Sequence, residues 1–182
     1  MQVKFINDDE FIKYKFKTKP FKHQYDAFLE SKDKEAYALF MEQGTGKSKV
    51  IIDNIAYLFR RGSIDTAIIA APKGVYRNWF ASEFNTHMPE DVVQLSKVCI
   101  WSPSETKKNV DELVSFLKES EKLRFFIINI EALSTDKGKN YLQRLLNTGK
   151  SFFCIDESTT IKHRTARRTK SVLKLGRMAK YR

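Results

Sequence analysis

Five short apolar runs without polar alternation limit what this chain can fold into: Ala36 to Met41 (AYALFM), Thr66 to Ala71 (TAIIAA), Val98 to Trp101 (VCIW), Phe125 to Ile130 (FFIINI) and Phe152 to Ile155 (FFCI). A strand with one wet face alternates apolar and polar residues, whereas a strand covered on both faces does not. Helical periodicity separates the runs. Phe21 to Ser31 places Tyr25, Phe28 and Leu29 on one face, and Lys47 to Arg60 does the same with Val50, Ile51, Ile55, Leu58 and Phe59. Val75 to Phe84 reads as a helix with Trp79, Phe80 and Phe84 inward, and further helices are expected over Glu105 to Glu121 and Lys139 to Leu146. Strands alternating with helices predict an α/β domain, a doubly wound parallel sheet with helices on both faces.

At 182 residues the chain suits one domain with a single good core, preceded by a charged N-terminal arm over residues 1–19. No run of about 18 apolar residues is present to span a membrane, and the first residues lack the apolar stretch of a signal peptide. A cytoplasmic protein is expected. Cys99 and Cys154 lie inside apolar runs, where a buried, reduced thiol is the default, and neither they nor His23, His87 and His163 fall at metal-ligand spacing. The formal charge is +11, and Lys162 to Arg182 carries nine basic residues and no acidic one. That segment suits either a solvated helix face or a polyanion contact. A helix from near Thr165 would bury Val172, Leu173, Leu175 and Met178 and present Arg164, Arg167, Arg168 and Lys174 to solvent.

The sharpest chemical signal is Gly44-Thr45-Gly46-Lys47-Ser48, set between an apolar run and a helical pattern. A phosphate chain needs backbone N–H donors with no side chain in the way, a helix N-terminus aimed at it, a lysine for its charge and a hydroxyl for Mg²⁺. All four are supplied here. Met41 occupies the position where the usual pattern begins with another glycine. The second signal is Asp156-Glu157, two carboxylates at the end of an apolar run. There Asp156 can hold Mg²⁺ while Glu157 orients and deprotonates an attacking water. On its own such a pair also suits an ordinary helix cap.

Taken together, FKHQYDAF (Phe21 to Phe28), MEQGTGKS (Met41 to Ser48), APKGVYRNWFASEF (Ala71 to Phe84), IDESTTIKH (Ile155 to His163) and KLGRMAKYR (Lys174 to Arg182) resemble the first RecA-like lobe of superfamily-two helicases. The Asn-Trp-x-x-x-Glu-Phe pattern and the Ile-Lys after the acidic pair are most similar to the Snf-like branch of DNA translocases. The resemblance implies a RecA-like P-loop domain binding ATP and Mg²⁺, with Lys47, Asp156 and Glu157 catalytic, Ser48 and Asp156 on the metal, and Gln24 on the adenine. It implies that Pro72, Lys73, Asn129, Lys162 and Arg164 meet nucleic acid, most plausibly the backbone of double-stranded DNA, without reading sequence. It further implies a Thr-Gly-Thr-Pro motif beyond Arg182 and a second RecA-like lobe supplying transition-state arginines, without which turnover would be poor. Ser158 and Thr159 depart from the family's usual residues after the acidic pair. Trp79 and Phe84 are expected in the core. The alternative from another class is a stand-alone P-loop nucleotide-binding module or small phosphotransferase, which would need a lid that nothing here resembles.

Overall fold

The computed structural model describes residues 7–104, 106–161, 163 and 165–182. In chain order its elements are α1 (Asp8–Tyr14), α2 (Lys22–Ser31), α3 (Lys47–Arg60), β1 (Thr66–Ala71), a π-helical turn (Trp79–Phe84), α4 (Asn85–His87), α5 (Glu90–Gln94), β2 (Ser96–Ile100), α6 (Lys107–Leu117), β3 (Leu123–Asn129), α7 (Asp136–Leu146), β4 (Ser151–Ile155) and α8 (Arg167–Gly176), with 3-10 turns at Ile130–Ser134 and Ser158–Ile161.

The four strands form one sheet in the order β2-β3-β1-β4, and every pairing is parallel. All six residues of β1 are buried, as its unbroken apolar run requires for a central strand. Side chains alternate faces along a strand. Thus Phe125 and Ile127 of β3 join a core with Ile52, Ile55, Ile69 and Phe84, while Phe126 and Ile128 join the opposite core with Ile68, Leu142, Val172 and Leu175. The α/β class and the helical covering of both faces stand as expected.

At the amino edge one carboxylate gathers three strand starts. Asp65 Oδ1 accepts from Arg124 Nη2 at 2.9 Å, Oδ2 accepts from the Lys150 N–H at 3.0 Å, and the Asp65 carbonyl accepts from the Arg124 N–H at 2.9 Å. Arg124 is only 3% exposed, so its charge depends on this partner. Burial raises the Asp65 carboxyl, but hydrogen bonds from Thr66, Lys150 and Arg124 outweigh it and hold the group below its ordinary value.

Several local expectations need correction. Residues 36–41 form no strand ladder; their sheet-type bonds are confined to Tyr37 N–H to the Arg182 carbonyl at 2.9 Å and Arg182 N–H to the Glu35 carbonyl at 2.8 Å. A strand exists only through its neighbours, and Tyr181 pairs with Phe152 of β4 at a single parallel bridge. Between 36–41 and β4 lies a cavity of about 860 Å³, and Phe40 is 97% exposed beside it. The helix expected over Val75 to Phe84 is a loose turn followed by the π-helical segment, with Trp79 and Phe84 buried but Phe80 only half-buried. Leu29 of α2 faces solvent, as does Leu173 of α8, and Arg168 is half-buried rather than exposed. The first residues are not simply an arm: α1 leads into Phe16, which packs edge-on against Tyr25 and Phe28. Tyr14 and Tyr57 close the same aromatic cluster, which seats α2 on α3.

Asp65→Ala is expected to cost about 3 kcal/mol in urea unfolding, the low end for orphaning a buried charge, because Arg124 cannot reach water. The depressed Asp65 carboxyl contributes stability that is present above its unfolded value and is lost as pH falls through its folded value. The wild type should therefore lose stability on acidification over that range more steeply than the variant. Parallel profiles would remove the staple.

Candidate functional site

The loop before α3 is shaped by two glycines in the left-handed region, Gly44 at φ 76° and Gly46 at φ 82°. There a side chain would meet its own backbone. Lys47 opens α3, so the free N–H groups of the first turn face the loop's concavity. Lys47 Nζ donates to the carbonyls of Met41 and Glu42, each at 3.0 Å, which holds the ammonium across the loop. Thr45 Oγ1 donates to the Glu42 carbonyl at 2.7 Å.

Gln24 is bolted to this loop. It is 5% exposed; its Nε2 donates to the Thr45 carbonyl at 3.0 Å and its Oε1 accepts from the Phe21 N–H at 3.0 Å. One hydrogen and one lone pair of the carboxamide remain beyond those two bonds. His23 Nε2 also lies 3.0 Å from the Thr45 carbonyl. A Cβ added at Gly46 would sit 2.3 Å from Gln24 Nε2, so that glycine answers to packing as well as to φ.

The acidic pair leaves β4 at the carboxyl edge. The Asp156 N–H donates to the Ala70 carbonyl at 2.9 Å, extending the ladder by one residue, and Glu157 then adopts φ 55°. A non-glycine residue in that region carries strain of about 1–3 kcal/mol, a cost typical of functional turns. Lys47, Asp156 and Glu157 line the same cavity, with Gln43, Ser158 and Thr159 around them. The loop and the acidic pair thus meet at one edge.

Two further side chains reach this edge. Trp79 Nε1 donates to Asp156 Oδ2 at 2.9 Å, and the Glu83 carboxyl lies beside the Ser48 hydroxyl. Burial, and then the charge of Asp156, push the Glu83 carboxyl above its ordinary range against the pull of Ser48. Both residues stood within the quoted Asn-Trp-x-x-x-Glu-Phe stretch. The signal available in sequence was that a buried tryptophan seeks an acceptor for its N–H. Ser48 and Asp156 offer the hard oxygen donors that Mg²⁺ takes while keeping several waters. Among the described residues no group of three or more His, Cys, Asp or Glu forms a metal cage, so such an ion would also need phosphate oxygens.

Pro72, Lys73 and Gly74 turn the chain after β1, with Val75 and Tyr76 N–H donating to the Pro72 carbonyl at 2.9 and 3.0 Å. Asn129 ends β3 opposite Ala71. Glu131, which sequence reasoning missed, joins the two: its Oε2 accepts from the Lys73 N–H at 3.1 Å and from Asn129 Nδ2 at 3.4 Å. The Lys73 side chain is exposed. Lys162 and Arg164 lie outside the described residues. Cys99 is buried and free, with burial pushing its thiol up to about 12; Cys154 is free and shifted in the same direction.

The family model of the type III restriction enzyme, res subunit, matches residues 10–179. No curated protein gives a significant sequence match. No helix among the described residues is long and apolar enough to cross a membrane.

The two loop glycines differ in a way that urea unfolding can read. Gly44→Ala meets nothing within 4 Å and should cost only the left-handed penalty, about 1–2 kcal/mol. Gly46→Ala adds a collision with Gln24 and should cost clearly more, with the Gln24 bond to Thr45 broken. Equal costs would mean that Gln24 is not held against the loop.

Proposed function

The chain belongs to the family of the type III restriction enzyme res subunit, as an ATP-binding lobe of the superfamily-two helicase type, and from that premise we propose that it is part of a DNA-dependent ATPase that couples ATP hydrolysis to movement on duplex DNA. The observation that carries the reading is the convergence of Lys47, Asp156 and Glu157 on one cavity at the carboxyl edge, beside a loop whose glycines bare its backbone.

In this reading the triphosphate lies along Gly44 to Ser48, against the N–H groups of the first turn of α3. Lys47 exchanges its two carbonyl partners for the β- and γ-phosphates. Ser48 and Asp156 hold Mg²⁺, which neutralises charge on the transferring phosphate. Glu157, on its strained turn, orients the attacking water and accepts its proton. Gln24, already on the Thr45 carbonyl, spends its remaining donor and acceptor on the adenine edge. Pro72 meets the DNA backbone with Lys73 and Asn129, the last two joined by Glu131, and Lys162 and Arg164 are assigned to the same partner by the family resemblance alone. A second RecA-like lobe supplies the transition-state arginines. The pattern Asn78-Trp79 with Glu83-Phe84 supports placement in the Snf-like branch.

Mg²⁺-dependent binding of a fluorescent ATP analogue tests the first half. Lys47→Ala should weaken it by about tenfold or more, the value of a charge-assisted contact. Glu157→Gln should bind as the wild type does yet form product about 100-fold more slowly with duplex DNA present, the low end for a lost general base. Equal turnover by Glu157→Gln and wild type would overturn the assignment.

The second half is tested by salt. Arg167 and Lys174 are both exposed on α8. Reversing both to Glu should weaken duplex binding for all sequences alike and flatten the dependence on salt concentration. Superimposed salt curves for wild type and variant would leave α8 a solvated face.

A further inference from the structure

Two polar groups of the π-helical turn, one buried and one half-buried, have no role in the proposed reaction. Trp79 is 2% exposed, in the core between sheet and α3, yet its indole N–H is spent on one oxygen of Asp156. Four residues on, the Glu83 carboxyl lies beside the hydroxyl of Ser48. Residues four apart share a face of a helical turn, and π-helical turns recur at functional sites. One short turn therefore touches both of the oxygen donors that the ATP site would place on Mg²⁺, although those donors come from separate elements, α3 and the end of β4.

We propose that Trp79 and Glu83 are positioning residues for the metal, Trp79 aiming the Asp156 carboxylate and Glu83 aiming the Ser48 hydroxyl. The proposal rests on the ATP-site reading above and deepens it. A carboxylate on a loop rotates about its side-chain bonds. A single N–H held in a packed core fixes one oxygen and so fixes where the other can point. A serine hydroxyl that gives its hydrogen to Glu83 presents a lone pair, not a hydrogen, to a cation. Neither residue has to touch the ion. Their effect should fall on metal affinity and not on the grip of the loop upon phosphate, because Lys47 and the α3 N–H groups are untouched.

The test is calorimetric and does not need turnover. ADP binding is titrated in EDTA and again over a series of Mg²⁺ concentrations, for wild type, Trp79→Phe and Glu83→Ala. Trp79→Phe keeps an aromatic ring in the core but removes the N–H together with part of the indole; Glu83 is half-buried and gives a second variant should the first fold poorly. Loss of an outer partner of a metal ligand typically costs 10- to 100-fold in metal affinity. Each variant should therefore raise the Mg²⁺ midpoint by about tenfold, while ADP affinity in EDTA stays at the wild-type value. Unchanged midpoints in both variants overturn the proposal. So does an equal loss with and without Mg²⁺, which would mean that the turn merely supports the fold. A wild type that binds no ADP in either condition sinks the ATP site itself, a result distinct from variants that match a binding wild type.

Discussion

The burial of β1 on both faces and along both edges is the constraint from which the rest follows. A strand with no wet side carries no polar side chain, and Thr66 to Ala71 obeys this apart from the threonine at its start. Its neighbours run parallel to it and return through crossovers, which places the crossover helices on the faces and the polar loops at the edges. Polar chemistry is excluded from the sheet's middle. It collects where β1, β3 and β4 stop.

The two edges are put to different uses. At the amino edge, Asp65 binds Arg124 and Lys150 and ties β1, β3 and β4 at their origin. At the carboxyl edge the same strands end at or beside Pro72, Asn129 and Asp156, each leading into a turn. The Pro72 turn leads within a few residues to Trp79 and Glu83. A displacement at the exposed Lys73 loop is thus only a short, packed path from the oxygens of Asp156 and Ser48. Were duplex DNA to meet that loop as proposed, this covalent path would link it to the proposed phosphate site.

Much of this was legible in the sequence because the relevant signals are local. Unalternating apolar runs reported β1 and β4 closely, the helical period gave α3 with its bounds, and the Gly-Thr-Gly-Lys-Ser loop announced its own backbone. The misses were of another kind. Ala36 to Met41 reads as a strand by composition, but strand pairing depends on which backbone lies alongside, and only Tyr37 finds one in Arg182. The π-helical turn also escaped, since a period of 3.6 and a wider turn share their apolar positions at Trp79 and Phe84. Trp79 was placed in the core, where it is, but its ring and its N–H serve different ends. Glu131 carried no pattern, because its two partners lie on separate strands.

The bond between Gln24 and the Thr45 carbonyl limits how the site could change over generations. The carboxamide that closes the start of α2 also holds the glycine loop, and it occupies the space a Cβ at Gly46 would need. A lineage that altered residue 24 would at once loosen the glycine loop, which is the loop proposed to receive phosphate. On the proposed reading, preference for the base and grip on its phosphates would be inherited together. A switch of nucleotide would have to come through paired replacements, at 24 and in the loop, and single-step drift is closed to it.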